Sequence, residues 1–312
     1  MFTVLYNNGA GILRAVGDSR RPFIILTVTC ALNILLDLLF VAVFQWGVRG
    51  AAFATLASQL VSAVVVYRII CRQYHCNCLN LKVMLRGRRI IADMVTLGST
   101  AGLQSALVGI SNLFVIRYMN FFDTASVAGM GIAQKLDKFV GLAARNIGIT
   151  VSAYVGQNIG AGNYDRIREG KNKSLLLATA VTASLGVLLF IFARPCVALF
   201  NSEPKVVEVG AGMLRVLIPG LIMLSVREIY TGLLRGYNKI LWPMILNLCG
   251  MVGMRQLWLT VGMEINGAIE NIYWCFPVSW ASTAAFLVGY YLLVRRSLPG
   301  FGRSKCADSP EN

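Results

Sequence analysis

The chain has 312 residues, 56% of them hydrophobic and only 14% charged, with a mean hydropathy of +0.65. A soluble domain carries about 25% charged residues, so this composition cannot cover a water-exposed surface, and lipid is the remaining solvent for the apolar side chains. The net charge of +15 leaves two explanations, a nucleic-acid partner or the bias that collects Lys and Arg in cytoplasmic loops of membrane proteins.

In chain order, Met1–Val16 lacks the basic start and cleavage-like end of a secretory signal. It reads as the last turns of a helix already inside the membrane, with Asn7 and Asn8 in it. Eight segments then reach the roughly 17–25 mostly apolar residues that a membrane helix needs: Pro22–Phe44, Gly50–Ile70, Val95–Met119, Ser126–Asn158, Ser174–Phe192, Val206–Leu234, Leu241–Met263 and Ile272–Val294. They are apolar on most sides, which predicts helices and not the alternating strands of a membrane barrel. Trp46, Trp242 and Trp274 fall near span ends, where interfacial anchors sit.

The loops decide what the positive charge means. One alternating set holds Arg14, Arg20, Arg21, Arg68, Arg72, Lys82, Arg86, Arg88, Arg89, Arg166, Arg168, Lys171, Lys173, Arg235, Lys239, Arg295, Arg296, Arg303 and Lys305; the other holds only Arg49, Arg117, Arg194 and Lys205. This asymmetry predicts a multi-pass protein of the cell membrane with both ends of the chain in the cytoplasm, and no nucleic-acid partner. The run from Cys71 through His75 and Cys76 to Cys78 lacks a second pair of ligands at zinc-site spacing and reads as a plain basic loop.

An internal repeat organises the spans. Gly11-Ile-Leu-Arg14 recurs as Gly232-Leu-Leu-Arg235, 221 residues on, and the same shift carries Pro22 to Pro243 and the Gly47 turn to Gly267 within a residue. The second copy has four spans ahead of Pro243, whereas only a stub precedes Pro22. The repeat therefore predicts about 130 further residues ahead of Met1, and a complete protein of about twelve spans in two parallel six-helix lobes, a plan of secondary transporters. The expected division is 1–80 for the end of the first lobe, 81–94 for a basic linker, 95–296 for the second lobe and 297–312 for a cytoplasmic tail.

Three strings resemble signatures of the multidrug and toxic compound extrusion (MATE) family: Leu13-Arg-Ala-Val-Gly17-Asp-Ser-Arg-Arg-Pro22, Val155-Gly-Gln-Asn158-Ile-Gly160-Ala-Gly162-Asn-Tyr-Asp-Arg166, and Leu234-Arg-Gly236 ahead of Pro243. The resemblance covers nearly all of Gly11–Val294 and is nearest the prokaryotic branch. It implies an all-α two-lobe bundle, lacking roughly its first three and a half helices in this chain. It also implies export of small amphipathic compounds by a monomer in exchange for H⁺ or Na⁺, with no cofactor.

Ionisable groups inside spans are costly and are read as functional by default. Asn33 and Asp37, at i and i+4, share a helix face. Thr55 lies at similar depth in the next span, because the two positions are equidistant from the Trp46-Gly47 turn. These oxygens suit Na⁺ or a carried proton, and the family's first-lobe cation site resembles the trio; an Asp capped by its Asn neighbour would serve packing alone. The later spans supply cavity candidates: Gln104, Gln134, Lys135, Asp137, Lys138, Arg145, Arg227, Glu228 and Arg255. Gln134 and Lys138 share a face and Asp137 points elsewhere. Cations outnumber acids in this set, which leaves room for zwitterionic or anionic substrates, or for ion pairs that fix the packing.

The glycines at 156–162 lack the Gly-Lys-Ser/Thr ending of a phosphate loop, and no nucleophile–base pair or metal motif points to an enzyme. Two other functions stay open, a lipid-linked oligosaccharide flippase of the same broad fold and a chain that does not transport. With half a cavity, the chain alone is expected to pump poorly.

Overall fold

The computed structural model describes residues 1–74 and 88–298. His75, Cys76 and Cys78 of the cysteine-containing loop, Lys82, Arg86, and the tail with Arg303, Lys305 and Cys306 lie outside the described residues. Every regular element among those described is helical: α1 (Phe2–Ala15), α2 (Arg20–Asp37) continued by a π-helical segment (Leu38–Val43), α3 (Gly47–Tyr74), α4 (Arg88–Met119), α5 (Thr124–Gly160), α6 (Tyr164–Ile191), the short α7 (Ala193–Ala198), α8 (Pro204–Gly236), α9 (Leu241–Leu248), a second π segment (Cys249–Met254), α10 (Arg255–Ile265) and α11 (Glu270–Val294), closed by a 3₁₀ turn (Arg295–Ser297).

Eight of these helical stretches are long and apolar enough to cross a membrane, and each overlaps one of the expected spans. Their outward faces carry large apolar side chains: Leu293 is 82% exposed, Ile265 76% and Leu176 73%. Such faces are stable only against lipid.

Two helices start earlier than their apolar runs. Helix α6 begins at Tyr164, ten residues ahead of the expected span, so Arg166, Arg168, Lys171 and Lys173 stand on helical turns and not in a loop. Arg166, Arg168, Glu169, Lys171 and Lys173 favour helix, Asp165 sits in the first turn, and Glu169 pairs with Lys173 one turn on at 2.6 Å. Helix α4 likewise begins at Arg88, inside the stretch expected to be linker.

The chain divides into two compact units, Met1–Ala92 and Asp93–Asn312. In the first, α1 and α2 both pack on α3 around Tyr6, Ala10, Leu13, Ile25, Val66 and Ile70. The Tyr6 hydroxyl donates to the Pro22 carbonyl at 2.8 Å, tying α1 to the start of α2.

The second unit is built around α8, which contacts α5, α6 and α11. Small residues let α5 and α8 approach closely. A Cβ on Gly148 would stand 2.7 Å from the Glu228 carbonyl oxygen, and one on Gly232 would fall onto the Gly148 carbonyl. Pro219 lies within α8 and Pro277 within α11. Two apolar clusters fill the interior. One gathers Met130, Leu214, Leu217 and Trp280 around the first half of α8; the other gathers Val155, Ile167, Leu233 and Tyr291 around its end.

Candidate functional site

In the first unit the last two turns of α2 carry Asn33 and Asp37, one turn apart on one face. Both side chains are half-buried. The Asn33 amide nitrogen and Asp37 Oδ1 are shielded from solvent and have no hydrogen-bond partner, an arrangement that native structures rarely leave uncompensated. Asp37 is the last α-helical residue before the π segment. Such segments loosen the backbone ladder and recur at functional positions. Thr55 is exposed on α3, and its hydroxyl donates to the Ala51 carbonyl at 2.9 Å. It shares no hydrogen bond with Asn33 or Asp37 among the described residues. A free carboxylate oxygen beside an amide suits a small cation or a proton as cargo.

In the second unit the charged candidates separate into distinct environments. Lys135, Lys138 and Arg145 are exposed on α5, while Asp137 is buried on another face of the same helix. Asp137 Oδ1 has no hydrogen-bond partner. Gln134 is half-buried and its amide nitrogen donates to the Met119 sulfur at 3.4 Å. Gln104 on α4 accepts from Arg235 Nη2 at 3.3 Å. Arg227 and Glu228, neighbours on α8, are both largely buried and form an ion pair with each other. Arg227 keeps an unbonded Nε.

Arg255 differs from all of these. It is 2% exposed at the junction of the second π segment and α10, and among the described residues it forms no ion pair. Neutral groups hold it instead. Nη1 donates to Asn112 Oδ1 at 2.8 Å and Nη2 to Ser279 Oγ at 3.2 Å. The guanidinium lies 4.9 Å from the centre of the Phe276 ring, a favourable cation–π placement. Next to it Gln256 donates to the Ser111 hydroxyl at 3.0 Å. Asn112, Ser279 and Ser111 were not singled out by sequence. The usable signal is that an arginine inside a span demands acceptors from neighbouring spans, and Asn112 is an amide within the apolar last third of α4.

The second unit thus contains a compensated pair (Arg227–Glu228), a fixed cation held by dipoles (Arg255) and a carboxyl group with an unbonded oxygen (Asp137). At the unit's edge Asp123 caps α5. It accepts from the Ser126 hydroxyl at 2.7 Å and lies 3.1 Å from Lys205 Nζ. These hydrogen bonds, Ser126 first, lower its pKa to about 2. Among the described residues no group of three or more His, Cys, Asp or Glu side chains could hold a metal ion.

Known proteins share this architecture. Over 95% of the chain the fold superposes on the Vibrio cholerae MATE transporter VcmN with a TM-score of 0.83 at 20% identity, covering 67% of that chain. The Bacillus subtilis protein named probable multidrug resistance protein YoeA is 24% identical over 301 residues, 94% of this chain and 65% of that protein. A second B. subtilis relative, probable multidrug resistance protein YpnP, is 28% identical over 249 residues, 80% of this chain and 55% of its own length. The chain therefore spans about two thirds or less of the curated relatives it matches. Residues 101–256, half of the chain and the stretch that carries α5, α8 and Arg255, match the MatE family model. By that match, and by a bundle that superposes on a solved member, the chain belongs to the MatE family.

Proposed function

We propose that the chain acts in the export of small amphipathic organic compounds across the cell membrane, as a monomer, in exchange for H⁺ or Na⁺ that binds at Asn33 and Asp37. The observation that carries this reading is the shielded, unbonded Oδ1 of Asp37 one turn from the unbonded amide of Asn33, inside a membrane span and directly before a π segment. A carboxylate so placed gains stabilisation from a cation or a proton that water would otherwise provide. Thr55 contributes as an oxygen ligand, since a hydroxyl that donates to Ala51 still has lone pairs to offer. The family relatives named for multidrug resistance support the substrate class.

In the second unit, Gln104, Gln134, Lys135, Lys138, Arg145 and the Arg227–Glu228 pair form the substrate-facing set. Asp137 and Arg255 act from behind it as buried charges that set its field. The excess of basic residues in one alternating set of loops supports a topology with both ends of the chain on the cytoplasmic side.

The test is ion binding by the purified protein, which does not require turnover. Equilibrium Na⁺ binding and proton uptake are measured in nanodiscs for the wild type and for Asp37→Asn. The proposal expects the substitution to abolish whichever ion the wild type binds and to leave the helical circular dichroism unchanged. Ion binding that survives Asp37→Asn overturns the assignment.

A further inference from the structure

Helices α6 and α11 both pack on α8, yet no Cα of α6 comes within 8 Å of a Cα of α11. The cleft between their two backbones is floored by α8 and filled at depth by Ile167, Ala178, Leu287 and Tyr291. At one end of the cleft Arg168 and Lys171 stand on α6, and Arg295 stands on the turn that closes α11. The Lys171 ammonium is held 5.3 Å over the Tyr291 ring, and Arg168 and Arg295 both lie within electrostatic reach of Lys171 and of Tyr291. Tyr291 in turn packs edge-on against Tyr230 of α8, with ring centres 5.3 Å apart.

Among the described residues none of these three cations pairs with a carboxylate. The nearby Glu169 is committed to Lys173. Three like charges brought together from two helices repel one another, and an anion among them turns that repulsion into attraction. Arginine and lysine at such a point match the oxygens of a phosphate.

The surroundings indicate what carries the phosphate. Leu176 and Leu177 follow Lys171 on α6 and are 73% and 55% exposed; Leu292 and Leu293 precede Arg295 on α11 and are 50% and 82% exposed. These leucines stand on the outward, lipid-facing sides of α6 and α11, so the surface beside the three cations turns apolar within two turns. Trp242 and Tyr290 stack beside this end with ring centres 6.0 Å apart, the pairing expected at headgroup depth. A soluble phosphate would use only the cations, whereas a phospholipid uses the cations and the leucines together.

We infer that this cleft binds an anionic phospholipid, its phosphate held by Arg168, Lys171 and Arg295 and its acyl chains lying along the exposed leucines of α6 and α11. The site uses neither Asn33 nor Asp37 and does not depend on the transport reading.

Native mass spectrometry of the full chain, delipidated in neutral detergent, tests it. The probes are dioleoyl phosphatidylglycerol, dioleoyl phosphatidylcholine and inorganic phosphate. The expected result is one retained phosphatidylglycerol, bound at least about tenfold more tightly than phosphatidylcholine and not displaced by millimolar phosphate. The triple variant Arg168→Gln, Lys171→Gln, Arg295→Gln should lose that preference. Arg20→Gln, Arg21→Gln, Arg49→Gln, which removes the same charge elsewhere, should keep it. Equal loss in both triple variants would mean diffuse attraction and overturn the site. Absence of preference in the wild type, or displacement by phosphate, overturns it without any variant having to fold.

Discussion

Arg255 donates from Nη1 to Asn112 Oδ1 across 2.8 Å, so a buried cation on α10 is held by the neutral amide of α4 and not by a carboxylate. Removing a buried charge from water is costly unless an opposite charge or well-placed dipoles replace the hydration. Position 112 therefore allows a test with opposite signs. Asn112→Leu leaves a guanidinium donor without its acceptor and should cost about 1–3 kcal/mol. Asn112→Asp keeps the shape and adds the missing counter-charge, and should raise the unfolding temperature in detergent at neutral pH. A fall in stability for both variants would mean that the geometry of the amide, and not the charge of Arg255, governs the contact.

The approach of α5 to α8 depends on Gly148 and Gly232. A methyl on Gly232 would fall onto the Gly148 carbonyl. Neither backbone can give way alone, because each helix is packed along its length. Gly232→Ala should thus destabilise the second unit by about 1–3 kcal/mol, the usual cost of forcing a methyl into a closed contact. Gly11→Ala makes the contrast. Nothing lies within 4 Å of its Cβ position, and alanine is the better helix former by about 1 kcal/mol, so that variant should be neutral or slightly more stable. Thermal unfolding of the two variants side by side checks the claim.

The spans were legible because one physical requirement, a long run of apolar residues, defines them, and the eight expected segments each overlap a helical stretch. Where polar helix formers precede the apolar run the requirement is silent, which is why α6 starts at Tyr164 and not near Ser174. The i, i+4 spacing of Asn33 and Asp37 was legible as a shared face. Their unbonded atoms were not, since these depend on which side chains α3 brings alongside. The π segments have no sequence mark either. Leu38–Val43 is wholly apolar, and Cys249–Met254 contains Gly250, on which a Cβ would meet Thr283. The neutral partners of Arg255 come from α4 and α11, far away in the chain, and only the packing of the second unit selects Asn112 and Ser279 from the other polar residues of those spans.

Ser225 on α8 donates to the Thr182 hydroxyl of α6 at 3.0 Å, fully buried. The Ser225 hydroxyl also lies 3.2 Å from the Leu221 carbonyl of its own helix. A hydroxyl with a second acceptor at hand loses little when the first is removed. Between membrane helices such bonds average about 0.6 kcal/mol. A double-mutant cycle on Ser225→Ala and Thr182→Val should return a coupling of about that size. A coupling above about 2 kcal/mol would show that the local Leu221 carbonyl is no substitute.

Asp123 sets a pH dependence at the edge of the second unit. Its pKa in the folded protein is lowered to about 2 from the ordinary 3.8, chiefly by the hydrogen bond from Ser126 and then by that from Lys205. A carboxylate depressed on folding stabilises the fold above its unfolded value, and that contribution is lost as pH falls through the folded one. The window therefore lies between about pH 4 and pH 2. Asp123→Asn removes the titrating group while leaving an N-cap residue in place. Across that window its unfolding temperature should fall less steeply with acid than that of the wild type. Ser126→Ala should shift the wild-type midpoint upward by more than Lys205→Met does, in the order of the two causes. Identical acid slopes for wild type and Asp123→Asn would show that the Asp123 cap contributes nothing to the stability of the folded unit.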